Sequence, residues 1–222
     1  MSKIKMIVLL LMLVPLALFS QTTKQKDSLI NVMCKELNTN KQLSNSERIE
    51  AIAINHISHF IDKYDRNGED SLGINIFYRF QRNCIEFTKI LDDFYEPKGD
   101  WEIIEGEKPE GLLKKRACRK LTNFKQLSYL ENNGDVVKVM LKDGYWIETF
   151  LDGTTSKLYF KWTNKCGFEL EFIESNNESR SNLSVVGDIY IYEIINTIED
   201  NFEAIISIDE NDVYMKFVIY TE

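Results

Sequence analysis

Between Gln25 and Phe94 the apolar residues recur with a helical period. Leu29, Val32, Met33 and Leu37 mark a short first helix. Ser44-Asn45-Ser46-Glu47 is a capping-box sequence, in which the Glu47 amide donates to the Ser44 hydroxyl while the Glu47 carboxylate reaches back to the Ser44 amide. The helix it opens gathers Ile49, Ile52, Ala53, His56, Ile57, Phe60, Ile61 and Tyr64 on one face, with Glu47, Arg48, Glu50, Asn55 and Lys63 away from it. Asp65-Arg66-Asn67-Gly68 ends that helix. A third follows, with Ile76, Phe77, Phe80, Cys84, Phe87, Leu91 and Phe94 as its inner face, and Glu96-Pro97-Lys98-Gly99 stops it. Residues 21–97 are therefore predicted to form a three-helix module.

Beyond Pro97 the period changes to two. The strands expected are Phe124–Glu131, Val136–Lys142, Tyr145–Leu151, Lys157–Thr163, Gly167–Glu174, Ile189–Thr197, Phe202–Ile208 and Val213–Tyr220. Alternation is clearest late in the chain: Leu158, Phe160 and Trp162 share a face, as do Phe168, Leu170 and Phe172, then Val213, Met215, Phe217 and Ile219. Short turn sequences separate nearly every pair, among them Asn132-Asn133-Gly134-Asp135, Asp143-Gly144, Asp152-Gly153, Asn164-Lys165 and Glu210-Asn211. Links this short join antiparallel neighbours. The fold class is α+β, with residues 98–117 as a linker and an antiparallel eight-stranded β meander over 118–222, closed into a barrel or, second, folded as a sandwich. Ser175–Gly187, largely polar, is the longest break between strands.

Residues 1–20 read as a signal peptide: Lys3 and Lys5, an apolar run from Met6 to Phe19, then Ser20 before a polar stretch. The run is short of the roughly 20 residues that span a bilayer, so no membrane span is expected after cleavage. Cleavage removes two lysines and no acid, taking the formal charge of the 222-residue chain from −8 to −10. An acidic chain repels nucleic-acid phosphates, which makes DNA and RNA poor partners. The expected location is outside the cytoplasm, in the periplasm or the extracellular space.

In such a compartment Cys34, Cys84, Cys118 and Cys166 can form disulfides. The layout favours Cys34–Cys84 in the helical half and Cys118–Cys166 in the β half; free buried thiols and a link between the halves are the alternatives. Intervals of 50, 34 and 48 residues without a CxxC argue against zinc. His56 and His59, with Asp62 beyond, have one-helix spacing but no third strong ligand, so His56 is read as packing at the core edge and His59 as solvated. Aligning Gly68 with the sixth position of a calcium loop puts Lys63 and Ile74 where acids are needed, and the motif fails. No G-x-S-x-G elbow, P-loop or G-x-G-x-x-G loop is present. Neither a catalytic residue, a metal site nor a cofactor is nominated. Lys114-Lys115-Arg116 and Arg119-Lys120 form a basic cluster read as a solvated linker rather than an anion site. Trp146, Tyr159, Trp162, Tyr190, Tyr192 and Tyr214 either line a cavity or fill and cover the sheet, filling being the default for small barrels.

Cys118, followed by Trp162-Thr-Asn-Lys-Cys166-Gly-Phe168-Glu-Leu170, with Tyr145-Trp146-Ile147-Glu148 upstream, resembles small exported proteins of Gram-negative bacteria that carry a W-x-[ND]-x-C-x-[YF]-x-L segment in a β domain. These have no established activity, and some bear a topoisomerase IV label that nothing in this acidic chain supports. The resemblance covers residues 118–222 and extends weakly to Phe80-Gln81-Arg82-Asn83-Cys84-Ile85-Glu86-Phe87. It implies export and a paired-cysteine β domain, and it transfers no functional residues. Separately, Gly99-Asp100-Trp101 matches the G-x-W at the first strand of lipocalin barrels. The expected function is non-enzymatic binding of an unknown protein or small molecule, followed by lipocalin-like carriage of a small apolar molecule, with a secreted hydrolase third.

Overall fold

The computed structural model describes residues 23–64, 71–124, 126–163, 165–209 and 212–221. The expected signal peptide, the Asp65–Asp70 turn, Asn164 and the Glu210-Asn211 turn lie outside the described residues. The chain divides into two compact units, residues 1–74 and 75–222.

In the first unit, α1 (Thr23–Thr39) buries Ile30, Met33 and Leu37. The capping box forms as its sequence requires and opens α2 (Asn45–Ile52), with the Glu47 amide donating to Ser44. The expected long second helix is interrupted by a π-helical turn at Ala53–Ile57 before it resumes as α3 (Ser58–Tyr64). Arg48 does not face solvent as its place on the helix wheel suggested: it is buried, donating to the Leu37 carbonyl at 2.6 Å and the Asn45 side chain at 2.8 Å. A guanidinium can finish the last turn of α1 in this way because helix C-terminal carbonyls lack partners within their own helix. The His56 ring meets Glu36 of α1, to which Asn55 also donates, while His59 is exposed.

The expected third helix is two. α4 (Ser71–Asn83) ends where Cys84 takes an extended backbone, and α5 (Ile85–Phe94) restarts with the Phe87 and Thr88 amides donating to the Cys84 carbonyl. Phe80 and Phe87 stack on each other at 4.2 Å across the break, whereas Phe77 and Phe94, expected inside, are exposed.

The rest of the second unit is a closed antiparallel barrel of eight strands with one extra strand. These are β1 (Glu102–Glu105), β2 (Leu127–Leu130), β3 (Val136–Lys142), β4 (Tyr145–Thr149), β5 (Thr155–Trp162), β6 (Gly167–Ser175), β7 (Ile189–Ile198), β8 (Asn201–Asp209) and β9 (Val213–Thr221). Strands β2 to β9 follow in chain order and coincide with the eight expected; β1 is the addition. Closure runs through β9, which pairs with β8 along one edge and divides the other. Its first half takes β1, from Glu105↔Val213 to Glu102↔Lys216, and its end takes β2 at Ser128↔Tyr220 and Leu127↔Thr221. Asp143 and Gly144, both at positive φ, make the two-residue turn between β3 and β4 that the strand twist favours.

Period-two residues point inward as expected, and they fill one end of the barrel. There Leu121, Leu127, Ile194, Phe202, Ala204 and Ile219 are buried around the Cys118–Cys166 disulfide, whose Cα atoms are 5.3 Å apart and whose Cys118 ends the one-turn helix α6 (Lys115–Cys118). No cysteine is free, so Cys34 and Cys84 are oxidised too. Of the basic cluster, Lys114, Lys115, Arg116 and Lys120 are exposed, but Arg119 lies over the Trp162 ring at 4.0 Å. At the other end Gly99 packs against the β2–β3 turn so closely that a Cβ there would stand 2.4 Å from the Glu131 carbonyl oxygen.

Three outcomes test these packing arguments. Gly99→Ala is expected to cost about 1–3 kcal/mol by forced displacement, read from urea denaturation. Replacing Cys118 and Cys166 together by Ala should cost about 2–4 kcal/mol, the usual worth of a long closed loop, in the same assay. The hydrogen bond from His56 holds the Glu36 carboxyl below its ordinary value of 4.5, against the opposing effect of burial. A depressed acid contributes stability above its unfolded value that is lost as pH falls through the folded one. His56→Ala should therefore raise the Glu36 midpoint in an NMR titration and flatten the acid-side decline in stability below pH 4.5.

Candidate functional site

The end of the barrel opposite the disulfide is not filled. The β2–β3 turn, the β4–β5 turn and the β6–β7 connection emerge there. That last connection carries the short helix α7 (Glu178–Leu183), capped by Asn177. The α4–α5 joint also lies over this end. Arg79, almost wholly buried, meets Asp188 at 3.2 Å and donates to the Leu183 carbonyl, and Asn75 donates to the Asn182 carbonyl. Arg82 donates to the Tyr190 hydroxyl at 3.1 Å and lies near Asp188. Burying a guanidinium demands such pairing, since an unpaired charge there is costly.

Beneath this cover is a hollow of about 270 Å³, open at one side. That is just under the roughly 300–1,000 Å³ of common small-molecule pockets. Its wall is rich in aromatic rings. Trp101 lies flat on Phe217 at 4.2 Å, Tyr192 is flat on Phe168 at 5.0 Å, and Trp146 is nearly parallel to Phe168 at 6.1 Å. Leu158, Leu170, Phe172 and Met215 complete the apolar surface. The G-x-W tryptophan, Trp101, thus stands just before the extra strand and lines the hollow, donating from its indole nitrogen to the Leu130 carbonyl at 2.5 Å.

Two polar clusters interrupt this wall: Arg82, Tyr190 and Ser184, which hydrogen-bond in series, and a cluster around Glu148. Glu148 follows Trp146 by two residues on β4 and so faces inward with it. The Tyr129 hydroxyl at 2.9 Å and the Trp146 indole at 3.2 Å both donate to its Oε1. Arg180, from α7, donates through Nη2 to the Tyr129 hydroxyl and to Glu131, while its Nε is 3.8 Å from Glu148 Oε2. Burial pushes the Tyr129 phenol far up, the Arg180 charge only partly opposing it. Burial disfavours the Arg180 charge, but Glu131, Tyr129 and Glu148 outweigh that and hold its pKa above the ordinary value. Burial also raises Tyr192 strongly, with the Glu148 charge adding to it. All these hydroxyls therefore stay protonated at neutral pH.

A second hollow, of about 610 Å³, lies beside the first among Tyr78, Val136, Phe150, Leu151, Asp152 and α7. Gln81, Glu131, Asn132, Arg180 and Leu183 border both. The Arg180–Glu131 pair is thus a partition between an aromatic chamber and a more open groove.

Of the strand aromatics named from the sequence, Trp146, Tyr190 and Tyr192 line the chamber, Trp162 packs against Phe168 and under Arg119, and Tyr159 is exposed. Cys118 and Cys166 lie at the filled end. His56 is engaged with Glu36, and among the described residues no group of three His, Cys, Asp or Glu side chains is placed to hold a metal ion. The residues that sequence reasoning did not single out are Glu148, Tyr129, Glu131 and Arg180. Glu148 carried a readable signal, an acid in phase with inward-facing Trp146. Arg180 carried none, since it sits in the polar break between β6 and β7.

Removing Arg180 leaves two carboxylates facing a chamber with no cation between them. Arg180→Ala is expected to lower stability by about 2–3 kcal/mol, less than a fully buried pair because the side chain keeps some solvent contact, and Glu148→Gln in that background should recover part of the loss. Thermal unfolding of the single and double variants measures both. Comparison with protein-family models and with curated proteins returns no match for this chain.

Proposed function

We propose that the protein is a non-enzymatic binding protein that carries a small, largely apolar molecule inside its barrel, in the manner of lipocalins. The observation that carries this reading is the aromatic-rich hollow of about 270 Å³ into which the polar cluster around Glu148 converges. Small barrels normally fill their interior with side chains, and this one does so only at the disulfide end. Such a space, apolar with few polar groups, is the usual form of a small-molecule site. Its size suits a compact ligand rather than a long acyl chain. The adjacent groove, separated by Arg180 and Glu131, supplies a route to solvent.

The cysteines also support a place of action. Oxidised cysteines fit an oxidising compartment, and they support the reading of residues 1–20 as a signal peptide and of the chain as an exported protein. Among the described residues no helix is long and apolar enough to cross a membrane. The resemblance to exported Gram-negative proteins with a paired-cysteine β domain agrees with this reading.

Native mass spectrometry of protein isolated from its host's envelope should show a co-purifying small molecule. Leu170→Trp, which puts an indole into the hollow, should abolish that adduct while the protein still unfolds cooperatively. Ligand-free protein from the native source, or an adduct that persists in Leu170→Trp, would refute carriage in the barrel.

A further inference from the structure

Resting on the binding reading, we infer that the ligand is a small organic cation: an amine or quaternary ammonium on an aromatic or aliphatic body. Glu148 is only 7% exposed in the chamber wall. Its Oε1 accepts from two neutral donors, Tyr129 and Trp146. Its Oε2 has Arg180 Nε at 3.8 Å, beyond hydrogen-bond length. The Arg180 Nη2 is directed instead to Glu131 and Tyr129. Two carboxylates therefore share one guanidinium, and the more buried of them lacks a hydrogen-bonded counter-ion. A buried charge in that state is expensive, and an ammonium group at Oε2 removes the deficit.

A second observation points the same way. The surface around Glu148 is built of ring systems, with Trp101, Tyr129, Trp146, Phe168, Tyr192 and Phe217 all lining the hollow. Ring faces attract cations most strongly where water is excluded, and they offer nothing comparable to an anion. The Tyr192 hydroxyl has no hydrogen-bond partner among the described residues and remains available to the same ligand. The remaining charges set its orientation. At the rim Arg82 lines the hollow and lies near Asp188, whereas in the wall the two carboxylates Glu131 and Glu148 share the single Arg180. The cationic head points inward and the apolar or acceptor part outward. The acidic chain as a whole also draws cations toward it.

The test is a probe series of one shape: benzylamine, benzyltrimethylammonium, benzyl alcohol and phenylacetate, titrated into the processed full-length protein by calorimetry, with Leu170→Trp as the blank. Either cation is expected to bind at least tenfold more tightly than the alcohol and the acid, and Glu148→Gln to reduce that preference below threefold. The wild-type comparison decides alone should Glu148→Gln fail to fold. Equal or tighter binding of benzyl alcohol or phenylacetate overturns the cation while leaving the binding function standing. Failure of all four probes to bind above the Leu170→Trp blank overturns both.

Discussion

The structure of the β unit depends on closing a sheet, and closure is a problem of strand β9. A sheet edge leaves a row of unpaired amides and carbonyls, and only joining the last strand to the first removes it. Strand β9 is too long for the four-residue β2 to cover, so the two meet through only two residue pairs, and β1 takes the remaining edge. The additional strand completes the hydrogen bonding that β2 leaves open. It also brings Trp101, the residue before β1, onto Phe217 and into the interior, which ties the closing of the wall to the shape of the space inside it.

Once closed, the barrel has two unlike ends. One is a packed core anchored by a disulfide. The other contains a carboxylate, a phenol and a guanidinium among aromatic rings, covered by the α4–α5 joint and α7. An interior of low polarity strengthens every electrostatic contact and penalises every missing one. A cluster of this kind adds little to folding compared with an apolar filling. It stands where the barrel is hollow, and hydrogen-bonded strands hold both donors to Glu148, Tyr129 and Trp146, in place.

Much of this was legible in the sequence. Period-two alternation located eight strands and the inward residues Leu158, Phe168, Leu170, Phe172 and Phe217, because a half-buried strand has a simple rule. β1 was missed: Glu-Ile-Ile-Glu is too short to show alternation, and its role comes from a distant strand. The helices were harder. The break at Cys84 has no proline or glycine to announce it, and Arg48 is buried through a carbonyl supplied by another helix. The site was half visible. Glu148 shares the parity of Trp146, whereas Arg180 reaches the cluster from a connection whose path no local pattern dictates.

The cluster is also divided between elements of different rigidity. Glu148, Tyr129 and Trp146 belong to hydrogen-bonded strands, while Arg180 and Leu183 ride on a six-residue helix within the β6–β7 connection. Displacing that connection alone would join the chamber to the groove and take Arg180 away, while Glu148 keeps its two strand-borne donors, Tyr129 and Trp146. For the ligand proposed above, the rate of exchange and the strength of binding would then fall largely to separate parts of the chain, so that one can evolve while the other is kept.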